Sequence, residues 1–124
     1  MPVRWEISHP EKLVFVVVEG EVTLQQMEDH FDALVVANAL GYRKLVDATG
    51  AEPTYNDGDV MTLGARLSAY ASNFPAGPLA VIGKSDALRD AYRRFVNIAP
   101  SDRPARLLKN EADARVWLAQ QPLP

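Results

Sequence analysis

The sequence contains no cysteine. Disulfide scaffolds, thiolate metal sites and cysteine nucleophiles are therefore excluded. Histidine is nearly as scarce, with His9 and His30 the only two, and their spacing is not that of metal ligands. His30 has Asp29 and Asp32 close by in sequence. Positions one and two residues away do not share its helical face, so a surface histidine is expected, and no metal site. Long apolar runs are also missing. The longest, Leu13 to Val18, is far too short to span a bilayer. The opening Met-Pro-Val-Arg-Trp-Glu carries no apolar signal segment, so a cytoplasmic protein is expected. Nor is there an excess of positive charge: the net charge is −3. Nonspecific nucleic-acid binding needs a basic field, so no nucleic-acid partner is expected.

What is present is enough for one core. A chain of 124 residues is one domain's worth, and folding at this length buries roughly 65% of the unfolded surface. Apolar residues at 48% and charged residues at 23% argue against disorder. We expect a single domain over residues 1–120 and a short frayed tail at 121–124, where Pro122 and Pro124 stop further structure. The charge is uneven. Residues 1–62 hold 4 Lys/Arg against 11 Asp/Glu, and residues 63–124 hold 9 against 5. Such asymmetry suits a charged ligand or self-association.

Periodicity gives the order of elements. Val3 to Ile7 alternates apolar and polar residues, as a half-buried strand does, and Leu13 to Val18 reads as a central strand buried on both faces. The two are expected to form an antiparallel hairpin. Thr23 and Gln26 form a capping-box pattern ahead of Leu24, Met27, Phe31, Leu34, Val35 and Asn38 at helical spacing, with Gly41 as the helix stop. Lys44 to Asp47 follows as a short strand closed by the polar turn Ala48-Thr49-Gly50. A second helix starts between Asp57 and Asp59 and ends before Pro75, with Val60, Leu63, Gly64, Leu67 and Ala71 as its apolar stripe. Its other face carries Ala65, Ser68, Ala69 and Ser72, small residues that allow close packing and would admit a homodimer. Pro78 to Ile82 is a further buried strand. Ser85 caps a third helix built on Leu88, Ala91, Tyr92, Phe95 and Ile98, and the stretch Pro100 to Pro104 breaks it. Ala105 to Leu108 is the last strand, and Asn110 caps a final helix from Glu111 to about Gln120. The order ββαβαβαβα implies an α/β fold: a mostly parallel sheet with an antiparallel first strand, right-handed crossovers and four helices.

Chemistry-bearing motifs are few. Gly83-Lys84-Ser85 has the form of a phosphate-loop ending, but five residues separate Gly77 from Gly83 where that loop needs four, and those five belong in a strand. A weaker site remains, in which Gly83, Lys84 and Ser85 at a helix N-terminus, with Thr49 and Gly50 at a neighbouring strand end, bind a small anion at the carboxyl edge of the sheet. Asp47 resembles an aspartyl-phosphate nucleophile in its loop, but no acidic pair follows the strand Leu79 to Ile82, so it is expected to hold the adjacent turn. No Gly-x-Ser-x-Gly elbow occurs, and Ser68, Ser72 and Ser101 have no evident base. Arg89, Arg93 and Arg94 on the third helix are matched by Asp86 and Asp90 at intrahelical spacing. An enzyme is not expected, and no cofactor.

Gly20-Glu21-Val22-Thr23 entering the first helix, the strand Leu45-Val46-Asp47 and the closing Glu111 to Leu118 stand in an order and spacing that resemble the STAS domains, in particular stand-alone proteins similar to anti-sigma-factor antagonists. The resemblance covers essentially the whole chain. It implies a STAS-like fold and a non-enzymatic module that binds a protein partner in regulation or signalling. In partner-switching members a phosphorylated serine follows an aspartate at the start of the second helix. Asp57 matches that aspartate, whereas Gly58 and Asp59 stand where the serines would be. The resemblance thus implies a partner surface at Asp57, Gly58 and Asp59 without phosphorylation switching. The wider fold group includes lipid-binding domains, and the alternative function is a carrier or sensor of a small apolar, lipid-like or anionic ligand. A closed apolar cavity would favour the carrier, and an exposed apolar patch on the second helix the partner module.

Overall fold

The first two apolar runs pair as their alternation requires. β1 (Val3–Ser8) and β2 (Leu13–Gly20) form an antiparallel hairpin in register from Val3 opposite Val18 to Ser8 opposite Leu13. Lys12, at φ 52°, makes the turn. This is a computed structural model that describes residues 3–52, 56–71, 75–98 and 103–124, without the side chains of residues 57, 67, 70, 71 and 98. The expected loop at 53–55, Ser72 of the small-residue face and the helix break near 99–102 lie outside the described residues.

α1 (Leu24–Val36) begins at the capping box seen in the sequence: Gln26 N–H donates to Thr23 Oγ1 at 3.2 Å, and Thr23 N–H donates to Gln26 Oε1 at 2.8 Å. It ends five residues before Gly41, the expected stop. Ala37 is the C-cap and Asn38 takes the left-handed turn at φ 56°, a conformation asparagine tolerates better than most residues. The freed residues 37–42 form a loop in which Ala39 and Leu40 are buried.

β3 (Arg43–Ala51) is twice the expected length. The polar stretch Ala48-Thr49-Gly50, read as a turn, is strand. Glu19 and Gly20 of β2 pair with Gly50 and Ala51 after a register shift beyond Val17, so the ladder continues where local composition signals a stop. α2 (Asp57–Ala71), β4 (Leu79–Ile82), α3 (Asp86–Ile98), β5 (Ala105–Leu108) and α4 (Glu111–Ala119) complete the expected order. The sheet runs β1-β2-β3-β4-β5 with every pair but the first parallel.

Right-handed crossovers between successive neighbours put α1, α2 and α3 on one face. There Val14 and Val16 meet Phe31 and Leu34 of α1 and Leu63 of α2. The alternate residues Phe15, Leu45, Ala80 and Ile82 face the other way, against Ala114 and Leu118 of α4. Leu34 and Leu45 are fully buried, one on each side, and truncating either to alanine would cost about 2–5 kcal/mol. Arg66 on α2 ties the helix layer together through Glu28 at 3.2 Å and Asp32 at 3.0 Å on α1. Among the described residues no helix is long and apolar enough to cross a membrane.

Candidate functional site

Strand parity decides what the helix layer covers. In parallel strands, residues in register share a face. Val14, Lys44 and Leu79 therefore form one row on the helix side of the sheet, and Val16, Val46 and Val81 form the next. The first row carries a lysine where its neighbours are aliphatic. Lys44 is 3% exposed. Its Nζ donates to the backbone carbonyls of Leu40 and Tyr42, the loop that the early end of α1 leaves in place. No carboxylate hydrogen-bonds it among the described residues. Burial, with a smaller contribution from the Arg103 charge, pushes its pKa down to about 7.

His30 is also 3% exposed, which corrects the expectation of a surface histidine. Met27, His30, Phe31 and Leu34 follow three- and four-residue spacing, so His30 belongs to the inward stripe of α1. Its ring packs edge-on against Trp5, with centroids 4.7 Å apart. Its Nδ1 is buried and has no hydrogen-bond partner among the described residues. Burial, followed by the Lys44 charge, pushes its pKa down to about 4, so the ring is neutral near pH 7.

Between these groups lies a cavity of about 200 Å³, floored by Val16, Val46 and Val81 and roofed by Phe31, Leu63 and Phe95. Lys44 and His30 line it, as do Tyr92 and Arg94 of α3, Arg103 ahead of β5, and Glu52 and Asp59. Burial raises the Tyr92 phenol, which the Arg103 charge opposes, and lowers the Arg103 guanidinium, which Tyr92 opposes. Lys44 is the second residue of β3 and Arg103 lies two residues before β5, so these cations sit at the amino ends of their strands. A composition of apolar walls with a few convergent polar groups is that of a small-molecule site.

At the carboxyl edge the residues of the expected anion site also serve the fold. Gly83 N–H donates to Leu108 O at 3.0 Å, and Leu88 N–H donates to Ser85 Oγ at 3.1 Å, the cap of α3. Thr49, inside β3, donates both its N–H and its hydroxyl to Asp47 Oδ1, so Asp47 organises the residues after it as expected. Lys84 is exposed. The donors of Thr49 and Gly83 are thus engaged within the fold and Ser85 Oγ accepts the cap hydrogen bond of α3, while Gly50 lies on the exposed part of β3.

The candidate partner residues begin α2. Asn56 caps it: Asp59 N–H donates to Asn56 Oδ1 at 2.8 Å, and Asn56 N–H donates to Asp59 Oδ2 at 3.3 Å. Asp59 is therefore a reciprocal helix cap, a role worth about 1 kcal/mol, and lines the cavity as well. Gly58 is exposed at the same turn, and the Asp57 side chain lies outside the described residues. Beyond it, Met61 is 62% exposed, with Ala65, Ser68 and Ala69 exposed along the helix. Among the described residues no group of three or more His, Asp or Glu side chains could hold a metal ion.

No protein-family model matches the sequence, and no curated protein is similar to it. Solved structures are. An uncharacterised DUF3478-family protein with a SpoIIAA-like fold from Shewanella loihica PV-4 superposes with a TM-score of 0.60 at 20% identity, over 94% of this chain and 91% of its own. The anti-sigma factor antagonist SpoIIAA, in its unphosphorylated form, gives 0.57 at 11% identity, over 95% and 97%. An anti-sigma factor antagonist from Mycobacterium paratuberculosis gives 0.56 at 15% identity, over 95% of each chain. The chain has a SpoIIAA-like α/β fold, as its resemblance to the STAS domains implies.

Proposed function

We propose that this SpoIIAA-fold chain is a non-enzymatic module that houses a small apolar ligand between its sheet and the helices α1 to α3, as a sensor or carrier. The observation that carries the reading is the cavity of about 200 Å³ walled by valine, leucine and phenylalanine. Most of the wall is apolar, and the space opens to solvent beside Glu52, which gives a ligand a way in. A partly open apolar cleft of this size under three helices is a place for a ligand. Titration with 1-octanol, followed by amide NMR, is expected to shift Val46, Val60, Leu63 and Phe95. Ala91→Phe, which fills the space from α3, is expected to abolish those shifts while the protein stays folded. Shifts scattered over the surface and unchanged in the variant would overturn the reading.

A second reading concerns the outer side of α2. Two fold neighbours are named anti-sigma factor antagonists, an activity exerted on another protein. Here Met61, exposed beside Ala65 and Ser68, offers a small apolar patch near Gly58 and Asp59 for a protein partner or a second copy of the chain. If two copies meet there, sedimentation equilibrium at high micromolar concentration shows a dimer, and Met61→Asp returns it to monomer. A monomer throughout removes self-association and leaves only a different partner.

A further inference from the structure

An apolar cavity needs no cation, yet this one holds a buried lysine. Burying an ammonium is costly unless it is paired. Lys44 has two carbonyl acceptors, Leu40 O and Tyr42 O, and an ammonium has three N–H groups. Beside it in the cavity wall is His30, whose buried Nδ1 meets no partner among the described residues. One remaining N–H on Lys44 and one unmet ring nitrogen on His30 make a small buried polar patch in a mainly apolar lining, which Glu52, Asp59, Tyr92, Arg94 and Arg103 also reach.

We propose that the cavity takes a small monocarboxylic acid, its tail against Val46, Val60, Leu63 and Phe95, its carboxylate accepting hydrogen bonds from Lys44 Nζ and the Nδ1–H of His30. The inference rests on the reading of the cavity as an apolar-ligand site and names the class of ligand. Size sets the tail. A cavity of about 150 Å³ takes a benzene ring, so about 200 Å³ takes roughly eight carbon-sized groups. Charge sets the head. A single spare donor on Lys44 matches a monoanion, and an alkylamine would add a further cation to Lys44 and Arg103.

The affinity depends on pH through Lys44. The titratable and charged groups that line the cavity with it are His30 from α1, Asp59 from α2, Tyr92 and Arg94 from α3, Glu52 after β3 and Arg103 before β5. Lys44 changes charge near pH 7 and His30 near pH 4, so between pH 6 and pH 8.5 Lys44 loses its proton while His30 stays neutral. A carboxylate that binds the charged form alone weakens about thirtyfold over that interval.

Calorimetric titration of the whole chain with octanoate, 1-octanol and octylamine at both pH values tests this. Octanoate is expected to bind at least about tenfold tighter than octanol at pH 6, to lose that advantage at pH 8.5, and to take up a proton on binding near pH 8, seen as a dependence of heat on buffer ionisation. Octylamine is expected to bind weakest. Lys44→Met is expected to abolish the preference for octanoate and keep octanol binding. The proton uptake is read on the unsubstituted protein, so the test stands even if the variant does not fold. Octanol equal to octanoate, or octylamine tightest, overturns the carboxylate and leaves the apolar site in place. No binding of any of the three removes the apolar site and the inference with it.

Discussion

Raising the pH from about 7 to about 9 should stabilise the unliganded protein by about 2 kcal/mol, and Lys44→Met should remove that rise. Lys44 is 3% exposed, and its pKa falls from 10.5 in the unfolded chain to about 7 in the folded one. Between those two values the unfolded chain holds one proton more than the native protein. Stability therefore increases with pH across the window, and the penalty for burying the charge is felt in full only below about 7. His30 behaves in the same sense lower down. Its pKa falls from 6.5 to about 4, so stability is lost as the solution is acidified between them, by about 2 kcal/mol by pH 4.5. Carboxylates titrate in that lower range as well, so the comparison that isolates the histidine is the native protein against His30→Leu. Urea unfolding followed at half-unit pH intervals measures both limbs. A flat profile between pH 7 and pH 9 would mean that Lys44 keeps its ordinary pKa, through water or a partner that relieves its burial. The same measurement with octanoate present should show a flatter alkaline limb, because a bound carboxylate favours the charged lysine.

The elements were legible because their signals are local and agree with one another. Leu13 to Val18 and Leu79 to Ile82 are apolar runs, Ala105 to Leu108 is a short strand between turn residues, and a capping box opens α1. Once strands and helices alternate, the right-handed crossover leaves little choice of topology, and the order β1 to β5 follows. The misreadings share one cause. Ala48-Thr49-Gly50 resembles a turn when read alone, but Glu19 and Gly20 on the neighbouring strand supply its ladder partners. Gly41 resembles a helix stop, but Asn38 reaches the left-handed conformation first. In each case a non-local pairing, or a residue that tolerates the strain, overrode the local pattern.

The site was less legible than the fold. Glycine, lysine and serine after a strand draw attention to the carboxyl edge, where Gly83 N–H extends the pairing to Leu108 and Ser85 caps α3. Lys44 was taken as the first residue of a strand, a position where lysine is usually solvated. Its parity with Val46 and Ala48 points inward, but parity has a direction only when the neighbouring strands are known. His30 carried a usable signal in its spacing from Met27 and Leu34, obscured by the acidic residues beside it. The cavity itself had none, because an empty space is a property of several elements together. Phe31 and Phe95 read correctly as core, and the sequence does not say that the core they form stops short of closing.

Replacing Gly77 by alanine should cost about 3 kcal/mol or more, because the added methyl group meets backbone on two sides. Gly77 is buried between α2 and β4, and its N–H donates to Leu40 O at 3.0 Å. A Cβ there would overlap the carbonyl oxygens of Tyr42 and Gly41, and these are backbone atoms, with no flexible side chain to move aside. The loop must shift as a whole. That loop also carries the carbonyls of Leu40 and Tyr42 that receive Lys44 Nζ, so the substitution would disturb the lysine's anchor as well as the packing. Gly50→Ala is the control. A Cβ at Gly50 meets Glu19 Cγ at 3.5 Å, an ordinary contact, and its strand position favours a side chain, so little change is expected. Urea midpoints for the two variants, measured side by side, decide the matter. A loss below about 1 kcal/mol for Gly77→Ala would show that residues 40–42 can move without unfolding the protein. A loop that moves so easily could not hold Lys44 in place, and the lysine's position in the cavity would then have to be set by the sheet alone.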